Sequence, residues 1–390
     1  MINDKVETIE LTPLHVPFKE YVVKAMSQGE SGLGMASKSQ EPWLGGDFVI
    51  CKLISREGFE GLGESFVWLP ETGVSPNQII DAIKNSLKNY ILGENPFNIE
   101  KINYRMDVNL TRNETAKGLV DMALYDLVGH IKELPACYLM GGKNVNRVPI
   151  AALIPLGDPM LMKGLVRHYY KEGFRAFRLK LGKGPEMDVE ILESIRESLG
   201  FDFKIRVDYN QAYTPQTAIR AIKAIEPYKI DFAEEPVRSD DYLGMAFVQQ
   251  RVDTPLMSHE GFFSLKDFIT LVELKAVRVL GLNSDRPGGV SKALKALHYA
   301  KMRGLGVVLH NQPLGIASAM HIHLHTAQYY SIDYETELFG QEMLKDDLIQ
   351  TEINYHNGMA EVPEGPGWGV KLDNKALQQY GVDDTIIIEV

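Results

Sequence analysis

AFRLKLG (176–182), KIRVDYN (204–210), IDFAEEP (230–236), PLMSHE (255–260), VRVLGLN (277–283), GVVLHN (306–311) and SIDYETELFG (331–340) share one design. In each, a short apolar run leads to a single charged or polar residue. In order these are Lys180 (with Arg178 two before it), Asp208, Glu234, Glu260, Asn283, His310 and Glu337. The gaps from Lys180 to Glu337 are 28, 26, 26, 23, 27 and 27 residues. One strand, one crossover helix and two loops of a parallel βαβ unit fill about that length. A polar residue at the same end of every strand is the layout of a (β/α)8 barrel, whose active site lies at the C-terminal strand ends. Strands are predicted at 148–154, 174–180, 203–208, 229–234, 255–260, 277–283, 305–310 and 330–337. Amphipathic helices are predicted between them, among them 187–199, 215–227, 241–251 and 288–303.

The chain has 390 residues, enough for a barrel of about 250 and a second domain. A net charge of −11 excludes nucleic acid and anionic membrane as natural partners, since both select basic faces. MINDKVETIELTPLH (1–15) has no apolar leader core, and no apolar run elsewhere is long enough to span a bilayer. Two cysteines, Cys51 and Cys137, read as free thiols in a reducing compartment, so a cytoplasmic protein is expected.

Ahead of the barrel, residues 2–16 alternate as a strand, and 47–56 and 58–64 read as a hairpin turning at Glu57-Gly58. Between them, 21–46 is rich in Gly and Ser without apolar period and is expected to form a lid. Gly61-Leu62-Gly63-Glu64 is too weak a pattern for a phosphate loop. Residues 75–150 read as helices. The clearest is Ala116–Leu134, with apolar residues at helical spacing and Pro135 and Gly141-Gly142 as stop signals. The expected organisation is a capping domain over 1–135, the barrel over 136–345, and a segment over 346–390 that returns to the cap.

Asp208, Glu234 and Glu260 end three consecutive predicted strands. Neighbouring strands stand about 5 Å apart, so three such carboxylates can reach one ion. A divalent cation would relieve their mutual repulsion, and an all-oxygen set with open positions suits Mg²⁺ better than zinc. Period two puts Arg178 and Lys180 on the same inward side. A neighbouring guanidinium and a nearby metal both disfavour the ammonium form of Lys180, which makes it a candidate base. His310 lies across the mouth as a candidate acid or opposing base. Glu337 is placed beside a substrate carboxylate, with Glu335 competing for that role. His321, His323 and His325 have the spacing of a second metal site, but GIASAMHIHLHTAQ (315–328) reads as the helix outside the seventh strand, turned towards its neighbours.

On these residues the chain resembles the enolase superfamily, in its mandelate racemase/muconate lactonizing enzyme branch. The likeness runs through DMALYDLVGHIKELPACYLMGG (121–142), RLK (178–180), VDYN (207–210), EEP (234–236), HEG (259–261), Gly288-Gly289-Val290, TELFG (336–340) and VPEGPGWGV (362–370). It implies a (β/α)7β barrel, a modified TIM barrel, under an α+β capping domain built from the N-terminal segment and the C-terminal tail. It also implies Mg²⁺ on Asp208, Glu234 and Glu260, a small carboxylate substrate, homo-oligomers, and abstraction of the proton α to the carboxylate through an enediolate.

Arg178-Leu179-Lys180 stands where the family has Lys-x-Lys. Glu260 follows His259 where the lactonizing branch has Asp-Glu. Asn283 stands where that branch has a second lysine, and where the racemase branch has an aspartate paired with the seventh-strand histidine; Asp285 is the nearby candidate substitute. These departures lead to an expected dehydration of a sugar acid to a 2-keto-3-deoxy acid, with Lys180 as base and His310 protonating the leaving hydroxyl. The alternatives are a racemase or epimerase with Lys180 and His310 on opposite faces, a cycloisomerase, and a non-catalytic acid-sugar binder.

Overall fold

The computed structural model describes residues 4–26, 43–283, 286–311 and 313–390. The core of the predicted lid, 27–42, and Asp285 therefore lie outside the described residues.

The front of the chain forms an antiparallel sheet from β1 (Val6–Pro17), β2 (Gly45–Ser55) and β3 (Glu60–Val67). Alternation of Ile9, Leu11 and Leu53 with polar neighbours gives it an apolar face, and these three residues are buried. The helix Glu114–Lys132 packs on β3 at the Gly61-Leu62-Gly63 run. A Cβ at Gly61 or Gly63 would run into the carbonyl oxygens of Ala123 and Leu119, so these glycines serve helix–strand approach. The helix ends at Glu133, whose φ of 53° turns the chain left-handed before Pro135.

The barrel follows as β4 (Arg147–Ile154), β5 (Ala176–Lys180), β6 (Lys204–Asp208), β7 (Ala233–Glu234), β8 (Leu256–Ser258), β9 (Val279–Leu282), β10 (Gly306–Asn311) and β11 (Thr336–Leu338). All eight are parallel, and Thr336 pairing with Ile150 closes the ring. The fold is the expected (β/α)7β modified TIM barrel beside an α+β cap. The tail adds β12 (Tyr355–His356) and β13 (Met359–Glu361) as a hairpin on β4, and then β14 (Ile386–Glu389) on β1.

Several strands are shorter than their sequence pattern. The one predicted over 229–234 is reduced to two residues, because Lys229 (φ 56°) ends a turn of 3₁₀ helix over Glu226–Tyr228. The one over 255–260 stops at Ser258. The Glu235 carboxylate takes the N–H groups of His259 (2.6 Å) and Gly261 (3.3 Å), which bends the chain and puts Glu260 in a turn. The one over 330–337 starts only at Thr336, after a 3₁₀ turn over Tyr329–Ser331.

Candidate active site

Strand register assembles the site. Lys180 pairs with Asp208, Asp208 with Glu234, and His310 with Glu337. All five side chains are buried at the C-terminal ends of the strands. Arg178 lies beneath Lys180 and ties three acids together. It donates through Nε to Glu234 Oε2 (2.9 Å), through Nη2 to Glu234 Oε1 (2.7 Å) and Asp208 Oδ2 (2.6 Å), and through Nη1 to Glu337 Oε1 (3.1 Å). Such a planar fork is what a guanidinium offers and an ammonium does not. Lys180 Nζ donates to Asp208 Oδ2 (2.5 Å) and Asn210 Oδ1 (2.8 Å). Asn210 in turn donates to Glu260 Oε1 (2.9 Å). Glu335 stays outside this cluster and pairs with Lys204 at 2.8 Å.

The acids outweigh the cations that hold them. Burial pushes Glu234 up to about 8 against the pull of Arg178. It pushes Glu260 well above the usual carboxylate range, with Glu235 and Asp208 adding repulsion. In Asp208 the same burial is overcome by Lys180 and Arg178, and its carboxyl lies below the ordinary value. Glu260 Oε2 is buried without a hydrogen-bond partner among the described residues. A buried carboxylate oxygen with nothing to receive it, beside acids that cannot all ionise alone, fits a divalent cation.

The ligand atoms of Glu234, His259 and His310 also lie within 4.8 Å of one another. His259 is unsuited to join them as a ligand. Its Nε2 faces Arg286 Nη2 (2.8 Å) and Asn283 Nδ2 (3.1 Å), and the Asn283 amide is oriented by accepting the Arg286 N–H at Oδ1 (2.7 Å). A guanidinium only donates, so Nε2 accepts and the ring proton sits on Nδ1, the nitrogen nearest Glu234 (3.5 Å). Oxygen ligation by the three acids is the better donor set. His310 Nε2 has no hydrogen-bond partner among the described residues, and its ring stands 4.1 Å from that of His259.

The cleft above these groups is lined by Lys180, Asn210, His259 and His310 on the barrel side and by Trp43, Phe66, Trp68 and Glu71 on the cap side. Asn283 is held by His259 and Arg286 behind this lining. Asn210, His259, Arg286 and Glu71 were not singled out from the sequence as site residues. Asn210 had a usable signal, since it lies two residues after Asp208. The histidines of 321–325 sit on the helix Gly315–Ala327, as expected. His323 is held between Cys137 N–H (3.3 Å) and the Trp368 carbonyl (3.1 Å), and His325 by Thr336 Oγ1 (2.6 Å), so they do not gather around an ion.

Residues 162–376 match the enolase C-terminal domain-like family model, and residues 34–141 match the mandelate racemase/muconate lactonizing enzyme N-terminal domain. The N-succinyl-L-Arg/Lys racemase of Bacillus cereus is 29% identical over 87% of this chain and 91% of its own. Its crystal structure superposes with a TM-score of 0.89 over 99% of this chain and 100% of that one, at 27% identity. The hydrophobic dipeptide epimerase of Enterococcus faecalis is 34% identical over 71% of this chain and 78% of its own. The structure of a dipeptide epimerase from that organism, complexed with Mg and L-Leu-L-Tyr, has a TM-score of 0.84 over 94% of this chain and 99% of that one, at 28% identity. These relatives invert a stereocentre, which overturns the expected dehydration of a sugar acid and the lyase class that went with it. Among the described residues no helix is long and apolar enough to cross a membrane. With both halves matched and the ring of acids in place, the chain belongs to the mandelate racemase/muconate lactonizing enzyme branch of the enolase superfamily.

Proposed function

We propose that the protein is a Mg²⁺-dependent racemase or epimerase acting at the α-carbon of an N-acylated amino acid or dipeptide. The observation that carries this reading is two buried nitrogen bases on one cleft, Lys180 from β5 and His310 from β10. Inversion needs a proton removed from one face of a carbon and another delivered to the opposite face. Two general acid–base groups on well-separated strands meet that need, whereas one alone would return the proton where it came from. In one direction Lys180 takes the α-proton and His310 supplies the new one; in the reverse direction the roles exchange. His310 thereby fills the part that a lysine at 283 would have played.

Asp208, Glu234 and Glu260 would hold the Mg²⁺, which when bound supplies positive charge beside the substrate carboxylate as the α-proton leaves. Arg178 keeps Asp208, Glu234 and Glu337 in one arrangement, and Asn210 fixes the Lys180 nitrogen relative to Glu260. Asn283 orients His259 rather than meeting the substrate. The test is a panel of N-succinyl amino acids and dipeptides in heavy water with Mg²⁺, followed by proton NMR and chiral chromatography. Loss of the α-proton signal with deuterium in the inverted isomer is the expected result. Keto-acid formation, or no exchange across the panel, would sink the reading.

A further inference from the structure

The cap side of the cleft differs from the barrel side in kind. Along β3 and just beyond it, Glu64, Phe66 and Trp68 recur at period two. Glu64 reaches the barrel by accepting the N–H of Leu314 at 2.7 Å, so this edge of the strand is turned towards the mouth. Phe66 and Trp68 then line the cleft, and both are half-buried. Trp43 joins them from just before β2, stacked on Trp68 with ring centroids 4.9 Å apart and planes 23° from parallel. Phe18 closes on the edge of Trp43, also at 4.9 Å but at 82°. The rings brace one another.

Glu71 is the charged residue of this wall, and it is already answered. Its carboxylate accepts from Arg286 Nη2, whose side chain is buried in the barrel mouth. A cationic substrate side chain would find no free anion there, and an anionic one would face a carboxylate. An anion would also lose water against ring faces that repel it, and a cation would find one face of each tryptophan already covered by the other. A flat apolar group loses nothing and gains both burial and offset or edge-on ring contact.

We infer that the site selects substrates with an aromatic side chain, and that Trp43 and Trp68 are the residues that determine this specificity. The inference rests on the racemase reading only for which carbon reacts, and it can be tested by binding alone. The chain has three tryptophans, and the third, Trp368, is fully buried, so ligand-induced change in intrinsic fluorescence reports chiefly on Trp43 and Trp68. With Mg²⁺ present, the protein is titrated with N-acetyl-L-phenylalanine, N-acetyl-L-alanine and N-acetyl-L-lysine, which share one carboxylate and one acyl group.

The phenylalanine derivative should bind about tenfold tighter than the alanine one, equivalent to about 1.4 kcal/mol. Trp68→Ala should bring the two affinities within about twofold of each other, on the same tenfold scale. Trp68→Phe should retain most of the preference, and guards against misreading a misfolded alanine variant. A tightest affinity for the lysine derivative overturns the inference, as does a preference that survives both Trp43→Ala and Trp68→Ala. Equal binding of all three overturns it too, and leaves the racemase reading standing. Binding of none removes both.

Discussion

Replacing Arg178 by alanine tests whether one guanidinium neutralises the acids at the barrel mouth. It spans Glu234, Asp208 and Glu337, each of which is buried. Without it, Lys180 is left bonded to Asp208 alone among these acids. Asp208 keeps Lys180 and Glu337 keeps Arg206 at 3.6 Å, so the uncompensated charge falls on Glu234, and removing one partner of a buried ion pair costs about 3–5 kcal/mol. Unfolding entropy of about 2.1 cal/mol/K per residue gives about 0.8 kcal/mol/K over 390 residues, so Tm should fall by about 4–6 °C. Differential scanning calorimetry in EDTA measures the fall. Millimolar Mg²⁺ should then raise the variant's Tm by more than it raises that of the wild type, since a dication can take over the vacated charge. Arg178→Lys should fall between the two, keeping the charge and losing the fork. A fall of under about 1 °C in EDTA would refute the reasoning, and so would a full fall that Mg²⁺ leaves untouched.

Three further outcomes follow from single contacts. Lys180→Ala should slow α-deuterium exchange by about 10²–10⁴-fold in NMR time courses; exchange at the wild-type rate would place the base elsewhere. His321 is buried without a hydrogen-bond partner among the described residues, and burial lowers it to about 3 from 6.5. The folded state therefore keeps it neutral while the unfolded chain takes up a proton below pH 6.5. Its stabilising contribution is whole above that value and is lost as pH falls towards 3. Between pH 7.5 and 5 the wild type should lose about 2 kcal/mol that His321→Leu does not, measured by urea unfolding; a constant difference would mean the ring has a polar partner. Glu64→Ala strips the N–H groups of Leu314 and Ala317 of their acceptor, at about 1–3 kcal/mol each. Its unfolding free energy should drop accordingly, and an unchanged value would show that water takes the carboxylate's place.

The barrel was legible because strand ends repeat at one spacing and because each apolar run closes on a polar residue, with Arg178 and Arg206 as buried mid-strand exceptions. Lys180, Asp208, Glu234, His310 and Glu337 gather through register alone, which a count along the chain can foresee. What register does not fix was harder to read. Glu71 and Arg286 are paired across 215 residues, and nothing local in either segment announces the other. His259 precedes Glu260 in the chain, yet its role is set by Arg286 and Asn283 at its far nitrogen. The dehydration reading failed for a related reason. Asn283 removes both the lysine and the aspartate that the resemblance leads one to expect there, but a residue type at one strand end does not fix which nitrogens face the cleft. His310 supplies a nitrogen at the cleft whether or not residue 283 is basic.

Cap and barrel are joined beside the strands that carry Asn283 and His310. The helix Val290–Met302 follows the strand that leads to Asn283, and Asp121 of the cap accepts the Ser291 N–H at its start (2.9 Å). The helix Gly315–Ala327 follows the strand that carries His310, and Glu64 of the cap accepts the N–H groups of Leu314 (2.7 Å) and Ala317 (2.9 Å). An acid at a helix N-terminus satisfies donors that have no intrahelical partner and opposes the positive end of the helix dipole. Both acids are fully buried, so water offers their donors no ready substitute. The seventh strand end is therefore tied to the sheet that leads to Phe66 and Trp68, and the sixth to the helix Glu114–Lys132 packed on that sheet. A change of cap sequence that moved β3 would shift the aromatic wall and the chain around His310 together, so under the proposed racemase reading side-chain selection and proton delivery would change as one.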